Sequence, residues 1–84
     1  MTIEIIIYVR KDCCLCEEMK EVIAQIAKPH PLTIHEIDVD TSGELQGKFG
    51  SEVPVLFING RKAFKHRVTA KDLQKRLGRV TSVS

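Results

Sequence analysis

The chain of 84 residues has the length of a single small domain. Its 43% hydrophobic and 29% charged residues exclude an extended disordered chain, a collagen and a disulfide-dense toxin scaffold. The net charge is only +2, but acidic side chains predominate in residues 1–42 and basic ones in residues 43–84, which favours a solvated basic face over a site for an anionic partner.

The first part of the chain is predicted to form a strand, a helix and a second strand. Five of the seven residues Ile3–Val9 are β-branched, and the apolar run is nearly continuous, which is typical of a central strand buried on both faces. Apolar residues then recur every three or four positions over 14–27, the spacing of an amphipathic helix, with Asp12 as its predicted N-cap. The prolines within 29–31 end this helix, and residues 32–39 form the next strand. Such a unit needs a right-handed crossover, so the two strands should pair in parallel.

The second part of the chain is predicted to contain a short helix, a hairpin and a final helix. Asn59-Gly60 between two strand-like runs is the strongest short-range hairpin signal. Gly78 is expected to stop the final helix. The predicted segments are a turn over 40–43, helices over 44–49 and 69–77, and strands over 53–58 and 61–66.

These segments predict an α/β fold of order β-α-β-α-β-β-α, with a mixed four-stranded sheet and flanking helices. We expect one domain over residues 1–78 and a flexible tail over residues 79–84. No apolar stretch approaches the ~20 residues that span a bilayer, and the N-terminus lacks the features of a signal peptide. We therefore expect a cytoplasmic, monomeric protein without a membrane partner.

All three cysteines lie within four residues, Cys13-Cys14-Leu15-Cys16. An odd number packed this closely cannot form a structural disulfide framework. The C-x-x-C pair leaves three interpretations: a redox dithiol, a metal site and incidental thiols. It falls in the turn between the first strand and helix, where open α/β sheets usually place their chemistry.

A helix N-terminus suits a reactive thiol because its free N–H groups stabilise the thiolate, which is the nucleophile. Arg10 and Lys11 add positive potential there. Positions three apart lie on one side of a helical turn, so Cys16 can attack a mixed disulfide on Cys13. We therefore favour a redox pair, with Cys13 exposed and first to react, Cys16 shielded, and Cys14 a bystander.

A zinc-finger spacing competes with this interpretation, because His30-x4-His35 follows the C-x-x-C pair. Zinc needs each of its ligands within ~2.0–2.3 Å of the metal. The segment between the cysteines and the histidines is itself the predicted helix, about 20 Å long, so both histidines cannot bind the same zinc ion as the cysteines. We expect no metal ligands and no bound cofactor. A zinc or copper chaperone that uses the cysteine cluster stays an alternative.

Three stretches carry a family resemblance: YVRKDCCLCEE over residues 8–18, EIDVD over 36–40, and VPVL with the later NG over 53–60. With them the chain resembles the thioredoxin superfamily, and within it the small glutaredoxin-like proteins with a C-x-L-C motif. The resemblance implies a thiol–disulfide oxidoreductase that reduces or exchanges disulfides, with Cys13 attacking and Cys16 resolving. It also implies that Val53–Pro54 is a cis bond facing the cysteines, so that the Val53 backbone can pair with an extended substrate.

Departures from the glutaredoxin pattern concern glutathione. Glutaredoxins that bind it usually carry threonine before Val-Pro, where this chain has Glu52, and a Gly-Gly near the last helix, which is missing. The cations Arg10, Lys11 and Lys48 could still attract the carboxylates of glutathione, so glutathione stays open as a co-substrate. The predicted substrate-binding residues are Arg10, Lys11, Val53 and Pro54.

A non-catalytic binding module on the same fold is a further alternative. The basic stretch over 61–79 could meet an acidic protein or nucleic acid, but its one aromatic residue, Phe64, offers little base stacking, so nucleic acid is not expected. The expected partner is a disulfide-bearing protein or a small-molecule thiol.

Overall fold

The protein is described by a computed structural model that covers residues 3–27 and 32–82, with side chains up to Gly78. The element order confirms the predicted α/β fold. The prolines predicted to end the first helix, and His30, lie outside the described residues. The elements are β1 (Ile3–Val9), α1 (Cys14–Ala27), β2 (Leu32–Asp38), a 3-10 turn (Val39–Thr41), α2 (Gly43–Phe49), β3 (Val55–Ile58), β4 (Arg61–Lys65) and α3 (Ala70–Ser82).

The four strands form one mixed sheet in the order β2-β1-β3-β4. The pairing of β1 with β2 is parallel, as predicted, and brings Val9 opposite Asp38 at the carboxyl ends of the two strands. The β3 strand pairs antiparallel with both β1 and β4. Asn59 and Gly60 both have positive φ, at 50° and 84°, which is the conformation of the predicted tight hairpin.

The main core lies on one face of the sheet. Alternate residues of β1 (Ile3, Ile5, Ile7 and Val9) are buried there, together with apolar residues of α1 and α3. The prediction that β1 is buried on both faces was wrong, because Glu4 is exposed and Tyr8 only partly buried. The short helix α2, which contacts Tyr8 on that second face, has no buried residue of its own.

Aromatic packing attaches α2 to the sheet. The ring of Phe49, the last residue of α2, stacks on Tyr8 with their centroids 4.5 Å apart. Phe57 of β3 meets both rings edge to face, at 5.5 Å and 5.8 Å. Offset and edge-to-face rings contribute roughly 0.5–1.5 kcal/mol per pair beyond their buried area, so this trio stabilises an element that otherwise buries little.

The end of α2 requires a glycine. A β-carbon placed at Gly50 would lie 2.5 Å from the carbonyl oxygen of Gln46, whereas one at Gly47 would have no atom within 4 Å. We expect Gly50→Ala to lower the free energy of unfolding by about 1–3 kcal/mol, since the last turn of α2 must shift. The matched Gly47→Ala should raise it by about 0.5–1 kcal/mol, because alanine favours a helix interior. Urea unfolding of both variants measures this; equal effects would contradict it.

The ends of α3 differ in part from the prediction. The Thr69 hydroxyl accepts a hydrogen bond from the Asp72 N–H at 3.1 Å and caps the start of the helix. The predicted stop at Gly78 was wrong, since α3 continues to Ser82. Gly78 is not among the residues with positive φ, so it stays within the helix instead of ending it. Residues 79–82 of the predicted tail therefore lie in α3, and residues 83–84 are outside the described part.

No helix in the described part of the chain is both long and apolar enough to cross a membrane.

Candidate active site

The loop between β1 and α1 places Cys13 at the helix N-terminus. Asp12 has a φ of 57°, in the left-handed region, so it is not the extended residue that caps a helix, and its predicted role as N-cap was wrong. The acceptor is the sulfur of Cys13, which receives a hydrogen bond from the Cys16 N–H at 3.2 Å. This N–H of the first turn therefore points at the Cys13 sulfur, and such groups stabilise negative charge.

The three cysteines differ in exposure, and all are free thiols. Cys14 is exposed on the outer side of the first turn of α1, and Cys13 is partly buried. Cys16 is only 1% exposed and belongs to the main core. The two thiols of the C-x-x-C pair therefore have unequal access to solvent.

Burial raises the pKa of the Cys16 thiol to about 11, and its hydrogen bond with the Cys13 side chain adds to the increase. The backbone N–H of Arg10 hydrogen-bonds the Cys16 sulfur and acts in the opposite direction, as does the charge of Lys20. Burial is the larger influence because an anion loses its hydration there. At neutral pH Cys16 is a protonated thiol.

The segment before β3 carries the Val53–Pro54 peptide bond, which is cis, as the family resemblance implied. Pro54 is fully buried, and its carbonyl oxygen accepts a hydrogen bond from the His66 N–H at 2.8 Å. Val53 and Cys13 pack against the same core cluster. The Val53 N–H already donates to the Phe49 carbonyl at 3.0 Å, so a substrate strand could not use this donor without displacing that bond.

The predicted cationic ligands Arg10 and Lys48 are engaged with carboxylates of the chain. Arg10 Nη2 lies 3.3 Å from Asp40 Oδ1, and Lys48 Nζ lies 3.3 Å from Glu44 Oε1. Lys11 is exposed beside the cysteines.

Glu52, which replaces the threonine typical of glutaredoxins, accepts hydrogen bonds from Lys62 at 2.8 Å and from Lys65 at 3.5 Å. The bond from Lys62 holds the pKa of the Glu52 carboxyl below its usual value. Glu52 is therefore an anion whose charge is balanced by two cations of β4.

Two open grooves flank the cysteine loop. The first, of about 260 Å³, lies between α1 and the start of α3, beside Leu15 of the C-x-x-C segment. The second, of about 320 Å³, lies between the loop and β2 and is lined mainly by charged side chains. The first groove is also lined by Glu18, Met19, Arg67, Val68, Thr69 and Asp72.

Within residues 3–27 and 32–78, no three His, Cys, Asp or Glu side chains are close enough together to hold a metal ion. His35 is exposed on β2, in register with Ile6 of β1.

The family pattern described as a glutaredoxin-like domain (DUF836) matches residues 4–78. The chain belongs to this glutaredoxin-like family. A glutaredoxin-like protein of Dictyostelium discoideum is 37% identical over 73 residues, which cover 80% of this chain and 68% of that protein.

Solved structures show the same fold as this glutaredoxin-like protein. A protein of X. campestris superposes with a TM-score of 0.77 and 28% identity, covering 89% of this chain and 96% of that one. Oxidised thioredoxin O2 of Arabidopsis thaliana superposes with a TM-score of 0.65 over 93% of this chain and 74% of its own, at 21% identity. The resemblance to the thioredoxin superfamily is confirmed, and the second likeness concerns the fold alone.

The sequence did not reveal what holds the cysteine loop of this glutaredoxin-like protein in place. The side-chain partner of Arg10 is Asp40, and a second contact goes to the Gly50 carbonyl. One signal was available for the first of these. Since the carboxyl ends of parallel strands meet at one edge, a cation after β1 lies close to a carboxylate after β2.

Proposed function

We propose that this glutaredoxin-like protein is a thiol–disulfide oxidoreductase that acts through Cys13 and Cys16. The observation that carries the proposal is the asymmetry of the pair. Cys13 is partly buried, not exposed as the sequence predicted, and its sulfur accepts a hydrogen bond from an N–H of the first turn of α1, whereas Cys16 is buried and protonated at neutral pH. One thiol is thus suited to attack a substrate, and the other to act only once that substrate is bound.

In the first step the thiolate of Cys13 attacks one sulfur of a substrate disulfide. A bond forms between Cys13 and that sulfur, and the substrate S–S bond breaks. The other substrate sulfur leaves as a thiolate and takes up a proton from solvent. The product is a mixed disulfide on Cys13.

In the second step the Cys16 thiol gives its proton to solvent and attacks the sulfur of Cys13. The Cys13–Cys16 disulfide forms, and the bound half of the substrate leaves as a second thiol. The substrate has gained two electrons and the protein has lost two. Two equivalents of an external thiol then restore the dithiol, so the cycle fits a reducing compartment such as the cytoplasm.

The proposed substrate is a disulfide-bearing protein or a small-molecule disulfide. The contacts weaken the case for glutathione as a tightly held co-substrate. The charges of Arg10 and Lys48, predicted to attract its carboxylates, are paired within the chain. Of the three cations predicted to attract those carboxylates, Lys11 is exposed, two positions before Cys13.

Trapping the mixed disulfide tests the proposal. In the Cys14→Ser/Cys16→Ser double variant the second step has no nucleophile and the exposed third thiol is absent, so treatment with 4,4′-dithiodipyridine should leave one pyridyl adduct on Cys13. Peptide mapping by mass spectrometry locates the adduct. The Cys14→Ser variant is the matched control, and it should instead form the Cys13–Cys16 disulfide without a lasting adduct. A stable adduct on Cys13 in that control would show that Cys16 does not resolve.

A further inference from the structure

The side chain of Arg10 makes a forked contact at the edge of the candidate site. Its Nε donates to Asp40 Oδ2 at 3.4 Å, and its Nη2 lies 3.3 Å from Asp40 Oδ1. Its Nη1 donates to the Gly50 carbonyl oxygen at 3.4 Å. The planar guanidinium can make these three contacts together, whereas a lysine ammonium is a single point charge.

Asp40 is a fixed partner for this fork. Its Oδ1 also accepts a hydrogen bond from Gln46 Nε2 at 3.0 Å. Its backbone N–H donates to the carboxylate of Asp38 at 2.9 Å, which anchors the 3-10 turn after β2. The carboxylate that Arg10 meets is therefore held from both α2 and β2.

The contact of Arg10 with the Gly50 carbonyl lies close to the segment that leads to Pro54. Gly50 follows Phe49, whose carbonyl accepts the Val53 N–H at 3.0 Å. Val53 is bonded directly to Pro54. An anchor at the Gly50 carbonyl therefore holds the end of α2, and with it the start of the segment that carries the cis peptide bond.

The backbone of Arg10 contacts the cysteine pair. Its N–H hydrogen-bonds the buried sulfur of Cys16. The residue stands three positions before Cys13, in the loop that sets the orientation of the helix start. One residue thus contacts the resolving sulfur through its backbone and the Pro54 side of the site through its side chain.

We propose that Arg10 is a positioning residue of the redox site, which fixes the cysteine loop against α2 so that Cys16 is held in line with a disulfide on Cys13. The proposal rests on the proposed function, since it concerns the second step of that cycle. The competing hypothesis is the one drawn from the sequence, in which Arg10 binds a carboxylate of the substrate.

The two hypotheses predict opposite effects for Asp40→Asn. If Arg10 binds substrate, removing the carboxylate that occupies it frees the guanidinium, and turnover stays the same or rises. If Arg10 positions the loop, removing its anchor slows the second step. A neutral disulfide without carboxylates, 4,4′-dithiodipyridine, separates the two hypotheses further, because it offers no carboxylate to which Arg10 could bind.

The experiment follows the two releases of coloured thiopyridone in a Cys14→Ser background, the first on attack by Cys13 and the second on attack by Cys16. We expect Arg10→Gln and Asp40→Asn each to slow the second release about tenfold, with the first release changed by less than about twofold. The double variant should be no slower than Arg10→Gln alone, because both substitutions remove the contact between Arg10 and Asp40. Arg10→Lys should not restore the rate.

Glu44→Gln is the matched control, since it removes another carboxylate of the α2 region without touching Arg10, and its rates should equal those of the parent. Arg10 and Asp40 are 46% and 34% exposed, so these variants should fold, and circular dichroism checks this. A general loosening of the fold would slow both releases alike and would overturn the proposal. So would a parental second release in Asp40→Asn, or full rescue by Arg10→Lys. Absence of the second release in the parent would instead refute the proposed function itself.

Discussion

The Cys13→Ser variant should lose disulfide reduction by a factor on the order of a thousand or more. A serine hydroxyl is not ionised near neutral pH and is a weak nucleophile without an adjacent base, whereas the thiolate attacks sulfur directly. In the described residues around position 13, the hydrogen bonds of this sulfur are to the backbone N–H and the side chain of Cys16, and none is to a histidine side chain. The rate of reduction of a protein disulfide over several turnovers measures the loss, because the exposed Cys14 thiol would itself react with 4,4′-dithiodipyridine.

This substitution separates chemistry from folding. The sulfur of Cys13 acts as the N-cap acceptor of α1, and serine is among the best N-cap residues. The variant should therefore keep the helix start and unfold at a temperature close to that of the parent. Turnover above about a tenth of the parental rate would show that Cys14, exposed at the next position, is the attacking thiol.

The sequence predicted correctly those parts of the fold whose residue pattern lies within a single strand, helix or turn. The β-branched run Ile3–Val9 and the apolar spacing of α1 gave the right elements, because periodicity reflects which face is buried. Asn59-Gly60 gave the hairpin, since few residues adopt positive φ at two successive positions. Each of these signals is local in the chain.

The errors arose where a residue type fits two conformations. Gly78 is common after helices but is tolerated inside them, and α3 passes through it. Asp12 is a frequent N-cap but also one of the few residues that accept left-handed φ, and here it takes that conformation. The sequence pattern alone cannot choose between these roles, because the choice depends on how the loop meets the rest of the domain.

The cysteine pair was visible in the sequence, but its surroundings were not. The spacing placed two thiols on one turn, and the resemblance supplied the cis bond at Pro54. The contact of Arg10 with Asp40 joins residues thirty positions apart, and the Gly50 carbonyl is a backbone group that no side-chain pattern reveals. Contacts of this kind follow from the packing of α2 against the sheet, which depends on the rings of Tyr8 and Phe49.

The second release of thiopyridone should accelerate with pH by about a hundredfold between pH 7 and pH 9. Burial raises the pKa of Cys16 to about 11, so below that pH its thiolate fraction rises about tenfold for each pH unit. The second step needs this thiolate, and its rate follows the fraction. The hydrogen bond with Cys13 changes once that sulfur is in a mixed disulfide, but burial, the larger cause, persists.

Stopped-flow measurement in the Cys14→Ser background isolates this dependence, because the exposed third thiol no longer contributes colour. The Cys16→Ser variant in the same background should show only the first release at every pH. A second release that is independent of pH over this range would mean that Cys16 is already ionised at pH 7. That outcome would contradict the burial argument, because a core sulfur that is 1% exposed disfavours the anion, and it would remove the asymmetry on which the roles of the two thiols depend.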